Sequence, residues 1–184
     1  MIDEAYFEFY GKSSIGLLER FDNLIITRTF SKAYGLAGLR CGYIVSNKEI
    51  ISLIQKSISP YSVNSVALVC ASAALDDESF VRGYVGEVVK NRPILAKELS
   101  KLGVKVFPSS ANFVVANFGE NCGVFYSKLK ERGILVRNRT NDPLLKGCLR
   151  IGVGTEEQCK RVLKEIERIL GEITKGKDKV GVVK

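Results

Sequence analysis

The sequence predicts an α/β protein in two parts: a piece of a buried parallel sheet with helices, followed by an α+β layer. Three observations carry that expectation. Leu24-Ile25-Ile26-Thr27 and Gly42-Tyr43-Ile44-Val45-Ser46 are short β-branched runs of the kind found in strands covered on both faces. Helical patterns then occupy most of the chain from Asn47 to Leu102. Beyond Leu102 the order becomes strand, strand, helix, strand, strand, helix.

Residues Met1 to Phe9 read as a strand end running into a loop. The two buried strands follow, separated by Thr29 to Arg40, a loop dense in small residues. Asn47 is placed to cap a helix carrying Ile50, Ile51, Leu53 and Ile54. Val63 to Leu75 is alanine-rich and reads as a closely packed helix. Glu78 to Leu102 is a long helix that Pro93 is expected to kink or split. Val104 to Phe107 and Asn112 to Ala116 are strands, and a helix spans about Val124 to Arg132. Ile134 to Arg137 and Cys148 to Val153 are the next strands. Thr155 caps a final amphipathic helix to Leu170, with Glu157 nearby. The expected boundary falls within residues 76–90, giving domains of 1–80 and 81–171 and a basic tail over 172–184.

The 184 residues are 46% hydrophobic and 26% charged, the proportions of a packed protein and not of a disordered chain. Net charge is +8, but the basic residues are interleaved with acids on amphipathic stretches. No aromatic-plus-basic strand is present, so nucleic acid is not the expected partner, whereas anionic small ligands are. No apolar run reaches the length of a membrane span and no signal segment opens the chain. Five cysteines, an odd count without a C-x-x-C pair, argue against a disulfide framework or a zinc knuckle and for a reducing compartment, the cytoplasm. Histidine is absent, so no Ser-His-Asp triad or His-ligated metal is available, and no metal is expected.

The densest chemical cluster is Thr29-Phe30-Ser31-Lys32-Ala33-Tyr34-Gly35-Leu36-Ala37-Gly38-Leu39-Arg40. A lysine desolvated among small and apolar residues favours the neutral amine needed to form an imine. Thr29 and Ser31 offer hydroxyls, the glycines permit close backbone approach, and Arg40 can fork onto a phosphate. Taken singly, the same residues would make an ordinary turn with an exposed lysine and arginine. Gly171-Glu172-Ile173-Thr174-Lys175-Gly176-Lys177-Asp178 nearly matches a phosphate-loop pattern. It ends in Asp and follows a helix where a strand is required, so it reads as a frayed tail. Cys41 and Cys148 read as small buried residues.

The Ser31-Lys32-Ala33-Tyr34-Gly35-Leu36-Ala37-Gly38-Leu39-Arg40 string, with Gly42-Tyr43 after it, resembles the lysine loop of fold-type I pyridoxal-phosphate enzymes. Its form is similar to that of the class-II aminotransferases, in the branch that contains histidinol-phosphate aminotransferase. Asp3-Glu4-Ala5-Tyr6, Gly133 to Arg137 and Gly147 to Ile151 resemble further segments of that branch, in the same order. The resemblance covers residues 1 to about 171. It implies a fold-type I arrangement, with 1–80 a portion of the cofactor-binding large domain and 81–171 the small carboxy-terminal domain. It implies pyridoxal 5'-phosphate as cofactor, a phosphorylated amine or amino acid and a 2-oxo acid as substrates, and a homodimer. The activity implied is amino-group transfer between L-histidinol phosphate and the oxo acid partner of glutamate.

By the same resemblance, Lys32 forms the Schiff base and moves the proton, and a buried Asp3 faces the pyridine nitrogen. Tyr6 donates to the cofactor's phenolic oxygen, Ala5 leaves room for the ring, and Thr29, Ser31 and Arg40 hold its phosphate. Arg150 grips the substrate carboxylate, an assignment that Leu149 and Ile151 support by leaving Arg150 on the opposite face of its strand. Arg137 contacts the substrate phosphate, with Arg139, two residues on, as the alternative. Asn112 lines the small domain. On residue type alone Asp3 is equally a strand-end cap, Tyr6 ordinary packing and Asn112 a turn cap.

Enzymes of this type carry a substantial segment before the Asp-Glu-Ala-Tyr motif, and nothing here matches it. The chain is therefore expected to be a carboxy-terminal half, truncated or completed by a second polypeptide. A non-catalytic fragment or partner subunit is the alternative of a different class. Threonine-phosphate decarboxylation is the alternative on the same scaffold.

Overall fold

In the computed structural model, which describes residues 1–180, the chain falls into two units that part between Gly86 and Glu87. The first unit is built on three strands: β1 (Ile2–Asp3), β2 (Ile25–Thr29) and β3 (Gly42–Ser46), in the order β1-β2-β3. Strand β1 runs parallel to β2, with Ile2 opposite Ile26 and Asp3 opposite Thr27. Strand β3 runs antiparallel to β2, from Thr29 opposite Gly42 to Ile25 opposite Ser46. The expected parallel arrangement is thus corrected at one pair. A parallel return needs a crossover, usually a helix, whereas residues 30–41 lead directly back to a neighbouring strand. At Gly42 an added Cβ would stand 2.6 Å from the Arg28 carbonyl oxygen, so this pairing admits no side chain there.

The segment after β1, expected as a loop, contains helix α1 (Phe7–Tyr10) and a 3-10 turn over Ile15–Glu19. Helix α2 (Lys48–Ser57) is capped as expected by the Asn47 side chain, which accepts from the Ile50 N–H at 2.9 Å. Asn64 does the same for α3 (Ser65–Asp76), accepting from Ala67 N–H at 2.8 Å. Ala67 and Ala71 lie one turn apart on α3 and form a core cluster with Phe30 and Cys41. Small side chains at that spacing let the helix approach closely. Other positions on α3 are open: Val66 is 63% exposed and Val69 70%.

One polar cluster lies inside this unit. Glu4 is buried and forms an ion pair with Arg28 at 2.9 Å. Burial alone would raise its carboxyl pKa, but hydrogen bonds from the Ser14 N–H, Ser13 and Arg28 hold it below the ordinary value. Glu8, on α1, is pushed the other way by burial. Arg28 opposes that rise, Glu4 adds to it, and Oε2 of Glu8 is buried without a hydrogen-bond partner.

The second unit begins within helix α4 (Glu78–Lys101), which continues through Pro93 and is not split. Val88, Leu95 and Leu99, buried to either side of the proline, anchor the helix across the missing hydrogen bond. Then come β4 (Lys105–Phe107), β5 (Phe113–Asn117), α5 (Cys122–Glu131), β6 (Arg137–Asn138), β7 (Cys148–Gly152) and α6 (Glu156–Val180), in the expected order. The strands form an antiparallel sheet ordered β4-β5-β7-β6. Val114 and Ala116 face Ile151 and Leu149 across the β5–β7 ladder, and all are buried. Phe125 and Leu129 from α5 and Ile166 and Ile169 from α6 are buried as well.

Two element ends differ from expectation. Strand β6 starts only at Arg137, because residues 133 and 134 are used to close α5. Gly133 takes φ 72° and its N–H bonds Lys130, while the Ile134 N–H bonds Leu129, a left-handed helix end. Helix α6 runs on to Val180, where a basic tail was expected from 172; residues 181–184 lie outside the described residues. Glu172 ties the extension back to α5 through Lys128 and Arg132, each at 2.7 Å. The phosphate-loop look-alike at 171–178 is therefore inside a helix. The start of α6 is a capping box: Gln158 N–H donates to Thr155 Oγ1 at 3.2 Å, and Thr155 N–H donates to Gln158 Oε1 at 3.0 Å. The reciprocal partner is Gln158. Among the described residues no helix is long and apolar enough to cross a membrane.

The Glu8 carboxyl yields a stability prediction. Its folded pKa lies above the ordinary value of 4.5, so the folded chain holds the proton more tightly than the unfolded one. Stability contributed by the protonated form is full below 4.5 and falls as pH rises through the raised value. Glu8→Gln is therefore expected to raise Tm at pH 7 and to lose that advantage at pH 4, read by thermal melts at the two pH values.

Candidate active site

Strand alternation sorts the first unit's functional side chains onto two faces. Asp3, Thr27 and Thr29 share one face of β1 and β2, and Glu4 and Arg28 share the other. Asp3 Oδ1 accepts from the Thr27 hydroxyl at 3.3 Å and from the Ala5 N–H at 3.0 Å. The carboxylate is exposed, not buried as expected. Tyr6 stands at the N-terminal boundary of α1, with Lys32 Nζ 5.3 Å from the centre of its ring.

Lys32 sits on a tight turn just past the end of β2. The Gly35 N–H bonds the Lys32 carbonyl at 3.1 Å, and the Leu36 N–H bonds Phe30 at 2.9 Å. Phe30 and Ala33 point into the core, leaving Lys32 half-buried. Thr29 Oγ1 donates to the Cys41 carbonyl at 3.4 Å and accepts from the Ser31 N–H at 3.0 Å, so the two hydroxyl residues are joined. Arg40 is exposed and lies in the left-handed region at φ 57°, where its guanidinium donates to the Ala37 carbonyl at 2.8 Å. A non-glycine residue there carries backbone strain at the point where the loop re-enters the sheet.

In the second unit, Arg150 on β7 is directly opposite Arg137 on β6. Its guanidinium lies 4.9 Å from the Phe113 ring centre, while Leu149 and Ile151 are buried on the other face, as the strand pattern requires. Two arginines facing each other across an antiparallel ladder repel, and an anion between them turns the repulsion into attraction. Arg139 is paired with Asp142 at 2.8 Å, and its N–H bonds the Cys148 carbonyl. The main-chain oxygen of Asn112 accepts from the Val153 N–H at 2.9 Å, so this residue helps tie β5's start to β7's end.

Cys41 and Cys148 are buried, as read, and burial raises the thiol pKa of Cys148. Among the described residues no group of three or more metal-ligating side chains is assembled. Two arrangements go beyond the sequence reading: the Phe113 ring beneath Arg150, and the Glu4–Arg28 pair beneath the Asp3 face. The signal for the second was present. In an extended segment the residue after Asp3 must face away from it, and so must Arg28 relative to Thr27 and Thr29.

The chain is similar to known proteins along most of its length. The aminotransferase class I and II family matches residues 1–166. A histidinol-phosphate aminotransferase of Caldanaerobacter subterraneus subsp. tengcongensis is 44% identical over 171 residues, covering 92% of this chain and 48% of the relative. The histidinol-phosphate aminotransferase from Sinorhizobium meliloti, solved in complex with pyridoxal-5'-phosphate, superposes with a TM-score of 0.78 at 26% identity, over 93% of this chain and 48% of that one. The L-threonine-O-3-phosphate decarboxylase from Porphyromonas gingivalis gives 0.80 at 26% identity, over 92% and 54%. The chain spans about half the length of the curated relatives it matches.

The strained Arg40 backbone is directly testable. Arg40→Gly and Arg40→Ala both remove the guanidinium, but only glycine relieves the left-handed penalty of about 1–2 kcal/mol. Glycine's greater unfolded-state freedom offsets up to about 1 kcal/mol of that gain. In urea melts Arg40→Gly is expected to be the more stable of the two variants.

Proposed function

This chain belongs to the aminotransferase class I and II family, and from that premise we propose that it bears the cofactor lysine and the substrate arginines of a histidinol-phosphate-aminotransferase-like enzyme using pyridoxal phosphate. Its fold is that of the fold-type I pyridoxal-phosphate-dependent transferases. The observation that carries the proposal is the Lys32 amine above the Tyr6 ring, on a turn whose two ends are held by the β2–β3 pairing.

The side chains fit the cofactor's chemistry. Lys32 supplies an amine for its aldehyde, Asp3 a carboxylate for its ring nitrogen, and Tyr6 a phenol for its ring oxygen. Thr29, Ser31 and Arg40 supply hydroxyls and a guanidinium for its phosphate. When bound, pyridoxal phosphate supplies an electrophilic carbon and a ring that accepts the electron pair released at the substrate carbon. Lys32 Nζ then takes the proton from that carbon and returns it. Asp3 keeps the ring nitrogen charged through its carboxylate, already held by Thr27 and Ala5. Arg150 binds the substrate carboxylate and Arg137 its phosphate; the Arg139 pairing with Asp142 favours that choice between the two arginines. Asn112 holds the strand ends beside them.

In this reading the substrates are L-histidinol phosphate and the oxo acid partner of glutamate, the enzyme works as a homodimer in the cytoplasm, and residues 1–80 and 81–171 are its large-domain portion and small domain. The likeness to a threonine-phosphate decarboxylase supports a second reading, in which a phosphorylated amino acid held on the same platform loses its carboxylate as carbon dioxide.

Adding pyridoxal phosphate to the purified chain is expected to give a near-visible absorption band that Lys32→Ala abolishes. Histidinol phosphate and 2-oxoglutarate are expected to exchange an amino group, with Lys32→Ala slower by about 10²–10⁴-fold. Carbon dioxide release from threonine phosphate in place of exchange would select the second reading. No band from a chain with a folded circular-dichroism spectrum would assign it as a non-catalytic fragment or partner subunit. Arg150→Lys keeps the charge and loses the two-pronged grip, so it is expected to raise KM for the amino substrate by about tenfold.

A further inference from the structure

We propose that Arg92 on α4 is a positioning residue for the substrate-carboxylate arginine: it fixes the turn before β5 so that the Phe113 ring lies against the Arg150 guanidinium. The link to substrate rests on the reading of Arg150 given above. Arg150 needs support where it stands. Arg137 lies directly opposite and repels it, and the Phe113 ring, 4.9 Å away, attracts its planar cation. Val115 is the residue facing Arg150 on β5, so Phe113, two positions earlier, shares its face of the sheet.

The backbone that carries Phe113 is held by several elements. The β4 ladder ends at Phe107 opposite Val115, two residues short of Phe113. Next in that register, the Ser109 hydroxyl donates to the Phe113 carbonyl at 2.6 Å and accepts from the Ala111 N–H at 3.2 Å. The Asn112 carbonyl accepts from the Val153 N–H at 2.9 Å, just past β7. The Ala111 carbonyl, ahead of either ladder, accepts from Arg92 Nη1 at 2.9 Å. The neighbouring Asn91 is buried and donates to the Gly154 carbonyl at 3.0 Å. Consecutive residues of α4 thus clamp the turn before β5 and the segment after β7. The Ser109 bonds shape the turn from within but do not set where it sits. Arg92 does, because it reaches in from another element with a charged donor, the stronger class of hydrogen bond. Without it the Ala111 peptide can turn about the Val153 bond, and the Phe113 ring moves off Arg150.

The test uses the full chain with Arg92→Met, which keeps the stem and loses the donors, and Arg92→Lys, which restores a charged donor. An aromatic ring shifts the magnetic resonance of a proton held over its face. The Arg150 Nε–H signal, identified by its loss in Arg150→Lys, therefore reports the Phe113 contact. It is expected upfield of the ordinary arginine position in the parent, at that position in Phe113→Leu, and most of the way there in Arg92→Met. Arg92→Lys is expected to recover part of the shift, and it decides the matter if Arg92→Met does not fold. In Arg92→Met, KM for 2-oxoglutarate is expected to rise about fivefold with kcat changed by less than about twofold. The near-visible band given by pyridoxal phosphate on Lys32 is expected to keep its midpoint. An Arg150 signal unmoved in Arg92→Met, or in Arg92→Lys where that variant alone folds, overturns the inference, as does a KM that does not rise where the parent is active. If the parent neither shows the band nor exchanges amino groups, the function proposed above fails, and the Arg150 signal alone decides whether Arg92 positions it.

Discussion

The turn that presents Lys32 depends on one close backbone approach. Strands β2 and β3 come together at Thr29 and Gly42, where the Arg28 carbonyl lies too near for any Cβ. That contact pins both ends of residues 30–41 at the same place, and the loop inherits its shape from the closure. Phe30 and Cys41, the first and last residues of the loop, turn inward together and meet Ala67 and Ala71 of α3. With its flanks committed to the core, Lys32 is left at the rim, and Tyr6 is the ring it meets. Removing the antiparallel return would release the core cluster and the lysine together.

Strong local patterns were legible in the sequence. The β-branched runs, the Asn47 cap, the Thr155 start and the strand–strand–helix order of the second unit follow from periodicity and capping chemistry that act over a few residues. The antiparallel sense of β2 and β3 was not, because strand direction depends on connection geometry that a run of Ile, Val and Tyr does not encode. Nor was the continuation of α6 past Leu170, where Glu172 forms ion pairs with residues 128 and 132, far away in sequence. Pro93 shows the same limit from the other side: a local breaker was overridden by buried neighbours on both sides of it.

The candidate site divides in the same way. The family resemblance pointed to Lys32, Asp3, Tyr6 and the arginines, and strand alternation put Arg150 opposite Leu149 and Ile151, which are buried. The exposure of Asp3 is a tertiary property that its residue type and motif position do not carry. The engagement of Arg139 by Asp142 depends on a turn geometry that two arginines in sequence cannot reveal.

The Arg137–Arg150 register has a mechanical consequence. Strand β6 is two residues long, lies at the sheet's edge and places one arginine directly against another, so its pairing works against an electrostatic load. On the proposed function, a substrate dianion would discharge that load before it made any further contact. Part of its binding energy would then appear as tighter edge pairing, and the second unit would become firmer as it bound. Dissolved salt competes for the same role, so at high ionic strength the edge is already relaxed and the ligand has less repulsion left to relieve.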